Sequence, residues 1–119
     1  MPKDFDHSLK DSSVIALAVS GGSDSVAMLH MIHEWTALNK KTLVVLTVNH
    51  NLRPEAQEEI IYVKTVSGKL GLRHITLEWI HDGSKNNLHE RARNARYELM
   101  TDWCRENGVD VLCTAHHID

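Results

Sequence analysis

Four short apolar runs, at residues 14–19, 43–48, 73–79 and 109–113, alternate with three longer stretches of helical periodicity, and few folds accommodate that alternation. The first, second and fourth runs are almost wholly apolar, as strands covered on both faces must be. Between them Met28, Met31, Ile32, Trp35 and Leu38 recur at helical spacing, as do Ala56, Ile60, Val63, Ser67 and Leu70, and then Leu88, Ala92, Ala95, Leu99 and Trp103. These stripes read as core faces packed on a sheet. The order β-α-β-α-β-α-β predicts an α/β fold: a doubly wound parallel sheet of four strands with three right-handed crossover helices, preceded by an N-terminal arm over residues 1–13. Ligands of such sheets lie beyond the carboxyl ends of the strands, so the chemistry is expected where each strand stops.

Composition narrows the classes of function. The chain has 119 residues, is 42% hydrophobic and carries a net charge of −3 with a pI near 6.3. That supports one core, or part of one, and supplies no basic field for holding an extended nucleic acid by this segment alone. A small ligand is easier to support. The residues after Met1, PKDFDHSLKDSS, are too charged for a secretory signal, and no apolar run reaches bilayer length, so a cytoplasmic address is expected. Cys104 and Cys113 form no CxxC pair and read as buried thiols without chemistry.

Each strand end opens onto a polar cluster: SGGSDS after the first, NHNLRPEA after the second, IHDGSKNNLHERAR after the third and TAHHID after the fourth. In SGGSDS, Gly21 and Gly22 permit close approach of a ligand, Ser20, Ser23 and Ser25 add hydroxyls, and the helix that follows points free N–H groups and its positive dipole end at an anion. The loop is neither GxxxxGK[ST] nor GxGxxG and lacks the lysine of γ-phosphate machines. Asp24 either holds a Mg2+ that phosphates share or only caps the helix. Arg53 and Pro54 read equally as a helix entry and as a ligand contact. His89, Arg93 and Arg96 share one helical stripe whose two arginines read equally as phosphate contacts and as a solvated face. His116 and His117 point to opposite sides of an extended segment, so with Asp119 they fit a phosphate or Mg2+ environment better than a shared metal. The segment HMIHE, residues 30–34, lacks the HExxH order and is structural.

LAVSGGSDSVAMLH resembles the SGGxDS signature of the PP-loop, or N-type ATP pyrophosphatase, superfamily, whose members split ATP between the α and β phosphates and adenylate a substrate. The missing lysine then has a meaning: the loop would grip departing pyrophosphate. Within that superfamily VNHNLRPEA, NNLHERARNARYELM and TAHHID are similar, in order, to segments of the tRNA(Ile)-lysidine synthase family, over residues 14–119. The resemblance implies an adenine nucleotide alpha hydrolase-like fold and an ATP-dependent ligase that joins L-lysine to the wobble cytidine of tRNA(Ile). Its cofactors would be ATP and Mg2+. It implies that Ser20, Gly21, Gly22, Ser23, Asp24 and Ser25 bind ATP, with Val48, Asn49 and His50 at the adenosine and Arg96 contributing. Asp24, Arg93 and His116 would be catalytic, and Asp24 and Asp119 would hold Mg2+. Asn49 stands where that family more usually has aspartate. The family continues beyond the position of Asp119 with more of the ATPase domain and tRNA-binding domains, so the chain is expected to be an N-terminal part, inactive by itself. Other PP-loop chemistry, a tRNA thiolase or a GMP synthetase-like enzyme, and a non-catalytic ATP-binding module are the competing readings.

Overall fold

Val14–Ala18 forms β1 and carries no polar side chain, because it lies inside the sheet. On one side it pairs with β2 (Thr42–Asn49), which pairs in turn with β3 (Arg73–Glu78); on the other it pairs with β4 (Val111–Thr114). All three pairings are parallel and the order is β3-β2-β1-β4. The computed structural model describes residues 13–20, 22–51 and 55–114.

Three helices make the crossovers: α1 (Ser23–Leu38), α2 (Ala56–Lys69) and α3 (Leu88–Glu106). Two apolar clusters show which face each covers. Leu29 and Ile32 of α1 and Val63 of α2 pack on Ile15, Leu17, Leu43 and Val45. Met100 and Cys104 of α3 pack on the opposite face, against Ala16, Ala18, Val44 and Leu46. The period-2 alternation of β1 and β2 thus divides one apolar run between two cores. The expected doubly wound sheet of four strands and three crossover helices is present, with strand bounds within two residues of those read from sequence.

Two details of the apolar pattern differ from expectation. Met31 and Leu38 are 51% and 77% exposed, and the buried face of α1 runs through Ser25, Val26, Leu29, Ile32 and Thr36. Thr36 is tolerated inside because its hydroxyl donates to the His33 carbonyl at 2.9 Å, so a polar residue concealed the true stripe. Val109, read as the start of the fourth strand, is buried but belongs to the helix exit, where its N–H donates to the Cys104 carbonyl at 2.8 Å.

The register builds a step at the carboxyl edge. β1 stops at Ala18, opposite Leu46 on one side and Thr114 on the other, whereas β2 continues through Thr47, Val48 and Asn49, paired with Thr76, Leu77 and Glu78. Three further residues make β2 and β3 stand about 10 Å taller than β1. The chain also reverses its direction of winding between β1 and β4, which makes the low part of the step the topological switch point.

Candidate functional site

The loop after β1 occupies the floor of this step and is braced from within. The Ser25 hydroxyl, buried at 3% exposure, accepts from the Ser20 N–H at 3.2 Å and from the Ser20 hydroxyl at 3.1 Å. The Ser20 hydroxyl in turn accepts from the Gly22 N–H at 3.3 Å. Ser20 and Ser25 therefore hold the turn closed, while Ser23 and Asp24 remain exposed at the start of α1. No side chain caps that helix end, and Asp24 has no hydrogen-bond or ion-pair partner among the described residues. Of the two sequence readings of Asp24, its free position favours the ligand role over the cap. An exposed carboxylate beside an uncapped helix N-terminus is compatible with Mg2+, which usually takes one or two carboxylates and completes its shell with phosphates and water. Among the described residues no group of three or more His, Cys, Asp or Glu is arranged to hold a metal ion alone.

Gly22 adopts φ −70° and ψ 153°, a conformation open to any residue. Among the described residues, a Cβ there would meet only the Ser20 Oγ, at 3.6 Å. Nothing among the described residues requires glycine at this position, which is exposed.

The wall of the step carries the second cluster. Thr47 donates to the Val19 carbonyl at 3.0 Å and therefore accepts from the Nε2–H of His74, also at 3.0 Å, linking the end of β1 through β2 to the start of β3. Burial, reinforced by the charge of Lys64, pushes the His74 pKa down and keeps the ring neutral. Asn49, 3% exposed, spends its amide on structure: Nδ2 donates to Glu78 Oε1 at 3.3 Å and Oδ1 accepts from the Asn51 N–H at 3.0 Å. Asn51 has a left-handed φ of 57° and donates from Nδ2 to the Trp79 carbonyl at 2.9 Å. Val48 packs into the core on the α3 side, and the His50 ring meets Trp79 edge-on at 6.2 Å. Asn49 thus fixes the shape of this wall, and His50 is the residue of the trio that faces its aromatic lip.

The third cluster is organised by Arg91, which the sequence pattern did not single out. Its guanidinium bonds the carbonyls of Ser84 and Asn86 at 3.0 and 3.2 Å and Asp82 Oδ1 at 3.2 Å, and lies 5.8 Å from the Trp79 ring centroid. The Ser84 N–H and the Arg91 guanidinium hold the Asp82 carboxyl below its ordinary range. Arg93 lies five residues into α3, exposed and without an ion-pair partner among the described residues; Arg96 is half-buried, its guanidinium 5.6 Å from the Tyr97 ring. Arg93 makes no hydrogen bond or ion pair with the described residues of the Ser20–Ser25 turn. Gly21, Arg53, Pro54, His116 and Asp119 lie outside the described residues. Thr47, Glu78, Trp79 and Arg91 are the site-forming residues that motif reading missed. Only Trp79, the last apolar residue of the third run, carried a signal.

Cys104 belongs to the core on the α3 side and Cys113 packs against the core on the opposite face, so the sheet separates them. Burial raises both thiol pKa values, leaving them protonated. Among the described residues no helix is long and apolar enough to cross a membrane.

A model of the PP-loop domain matches residues 2–119. The tRNA(Ile)-lysidine synthase of Rickettsia prowazekii is 47% identical over 107 residues, 90% of this chain and 25% of that protein. The tRNA(Ile)-lysidine synthase of Rickettsia akari is 48% identical over the same span. The chain therefore covers about a quarter of the length of the curated relatives it matches. Among solved structures, the U34-tRNA thiolase NcsA of Methanococcus maripaludis, described with its 4Fe-4S cluster, superposes with a TM-score of 0.79 at 16% identity, covering 88% of this chain and 39% of the other. The NH3-dependent NAD synthetase of Campylobacter jejuni superposes with a TM-score of 0.66 at 17% identity, covering 91% and 51%. These likenesses establish the fold.

Proposed function

Because this chain belongs to the PP-loop family, we propose that it is the N-terminal part of the ATPase domain of a cytoplasmic lysidine-forming ligase acting on tRNA(Ile). Residues 14–119 would supply the nucleotide edge, and further chain would complete the site and bind the body of the tRNA. The relatives' names support this reading over other PP-loop chemistry. The observation that carries it is the loop after β1: closed on itself by Ser20 and Ser25, uncapped at α1, and open above Gly22.

In this reading the N–H groups at the start of α1 cradle the β and γ phosphates as they leave together, and no lysine is needed because no γ-phosphoryl group is transferred. The wall at Val48, Asn49 and His50 receives the adenosine. The O2 atom of the wobble cytidine attacks the α phosphate, the bond to the β phosphate breaks and pyrophosphate departs. The lysine amine then attacks C2, AMP leaves with the O2 oxygen, and the amine proton is released to solvent. Mg2+, when held by Asp24 and the phosphates, supplies charge neutralisation. Arg93 and His116 are assigned to the α phosphate, and Arg96 to the nucleotide. Positioning does most of the work. A sulfur-transfer reading gains nothing from Cys104 and Cys113, which lie on opposite faces of the sheet.

The test is pyrophosphate release by the complete protein. Sustained release that requires ATP, tRNA(Ile) and lysine together is expected, with no more than about one pyrophosphate per protein when lysine is left out; sustained release without lysine or without tRNA(Ile), or none at all, would overturn the assignment.

A further inference from the structure

The top of the wall carries an aromatic group that the reaction above does not use. Trp79 and His81 stack with centroids 4.4 Å apart and an interplanar angle of 34°, and His50 meets the same indole edge-on at 6.2 Å. Ile80, between the two rings in sequence, is 87% exposed. Every support of this group is fixed. Asn51 holds the Trp79 carbonyl, the Trp79 N–H donates to the Asn49 carbonyl at 2.9 Å, and the Gly83 N–H donates to His81 Nδ1 at 3.1 Å, which leaves Nε2 as the donor of the imidazole. Arg91 pins the loop and pairs with Asp82, the one carboxylate of that turn. Beyond the loop, Lys85, Asn87 and His89 line a shallow depression of about 530 Å³ with Leu88 and Glu90.

Rigid aromatic faces held beside cationic groups are what unpaired RNA bases bind: the base stacks, and the adjoining phosphate meets a cation. The position selects RNA over ATP. The turn that would take the phosphates lies at the end of β1, and the proposed adenosine wall at the end of β2. The Trp79–His81 pair lies at the end of β3, one strand farther out. A chain running along this edge from the α phosphate would pass over it. Building on the function proposed above, we propose that Trp79 and His81 form a stacking platform for an unpaired nucleotide of the acceptor tRNA, one flanking the reacting cytidine. A single stacked nucleotide needs no extended basic field, so the chain's net charge of −3 is compatible with it.

The experiment uses the complete protein and two probes, a labelled anticodon stem-loop of tRNA(Ile) and ATP. Trp79→Leu is expected to weaken stem-loop binding roughly tenfold, within the range set by loss of one base stack. Trp79→Phe, which keeps a ring, should stay within about threefold of wild type, and in both variants ATP affinity should change less than stem-loop affinity changes in Trp79→Leu. Should Trp79→Leu fail to fold, His81→Leu is read in its place. Unchanged stem-loop affinity would overturn the platform, as would a parallel loss of ATP affinity, which would make it an adenine site. A blunt RNA duplex that binds as tightly as the loop, with the same dependence on Trp79, would overturn it too. Ring-dependent stem-loop binding by a protein that releases no pyrophosphate would uphold the platform while refuting the ligase assignment.

Discussion

Asn49 illustrates how one residue can hold a site without touching a ligand. Its amide offers a donor to Glu78 at 3.3 Å and an acceptor to the Asn51 N–H at 3.0 Å. The more usual aspartate of the resembling family would keep the second contact and turn the first into two facing carboxylates. Asn49 and Glu78 therefore read as a matched pair. Asn49→Asp should cost about 1–3 kcal/mol, the typical penalty for a buried polar contact broken on one side, and Glu78→Gln added to it should recover most of the loss. Chemical denaturation of wild type and the two variants measures this; equal stability of wild type and Asn49→Asp would refute it. The sequence showed that position 49 was unusual but not why, because its partner is a residue 29 positions away on a neighbouring strand.

At the scale of elements, the strands were readable because burial on both faces leaves an unbroken apolar signature, as in β1. The face of α1 is only partly legible: Met28, Ile32 and Trp35 pack on the core as their spacing predicts, but Ser25 and Thr36 line it too while Met31 and Leu38 do not. The loop after β3 was opaque for a different reason: its order comes from Arg91, whose three partners are backbone and carboxylate oxygens that leave no periodic trace. The Val19–Thr47–His74 link across three strands leaves no trace in the sequence pattern, yet it has a pH signature. The folded-state pKa of His74 is below its unfolded value, so protons bind the unfolded chain more readily. Stability should therefore fall as pH drops from 7 through about 6.5, the unfolded value, and the loss should level off below the folded pKa. His74→Gln, whose amide can still donate to Thr47, should show a smaller fall in melting temperature between pH 7.5 and pH 5. Identical pH profiles for the two proteins would contradict this.

At the scale of the whole molecule, strand order and register together make the site. Reversal of winding between β1 and β4 opens the crevice, and the extra length of β2 and β3 raises one wall of it. The motifs in the sequence identified all four strand ends, but the step between them depends on register, which motifs do not encode. The central claim is that the turn after β1 is shaped for a phosphate-bearing ligand rather than for its own stability, and Gly22 separates the two. Alanine fits its φ of −70° and, among the described residues, would touch only the Ser20 Oγ at 3.6 Å. By restricting the unfolded chain, Gly22→Ala should leave the fold as stable or add about 0.4–1 kcal/mol. The decisive measurement is the ATP affinity of the complete Gly22→Ala protein by calorimetric titration, with its melting temperature as the control. A melting temperature at or above wild type with ATP affinity at least about tenfold weaker is predicted; wild-type ATP affinity in a folded Gly22→Ala protein would contradict it.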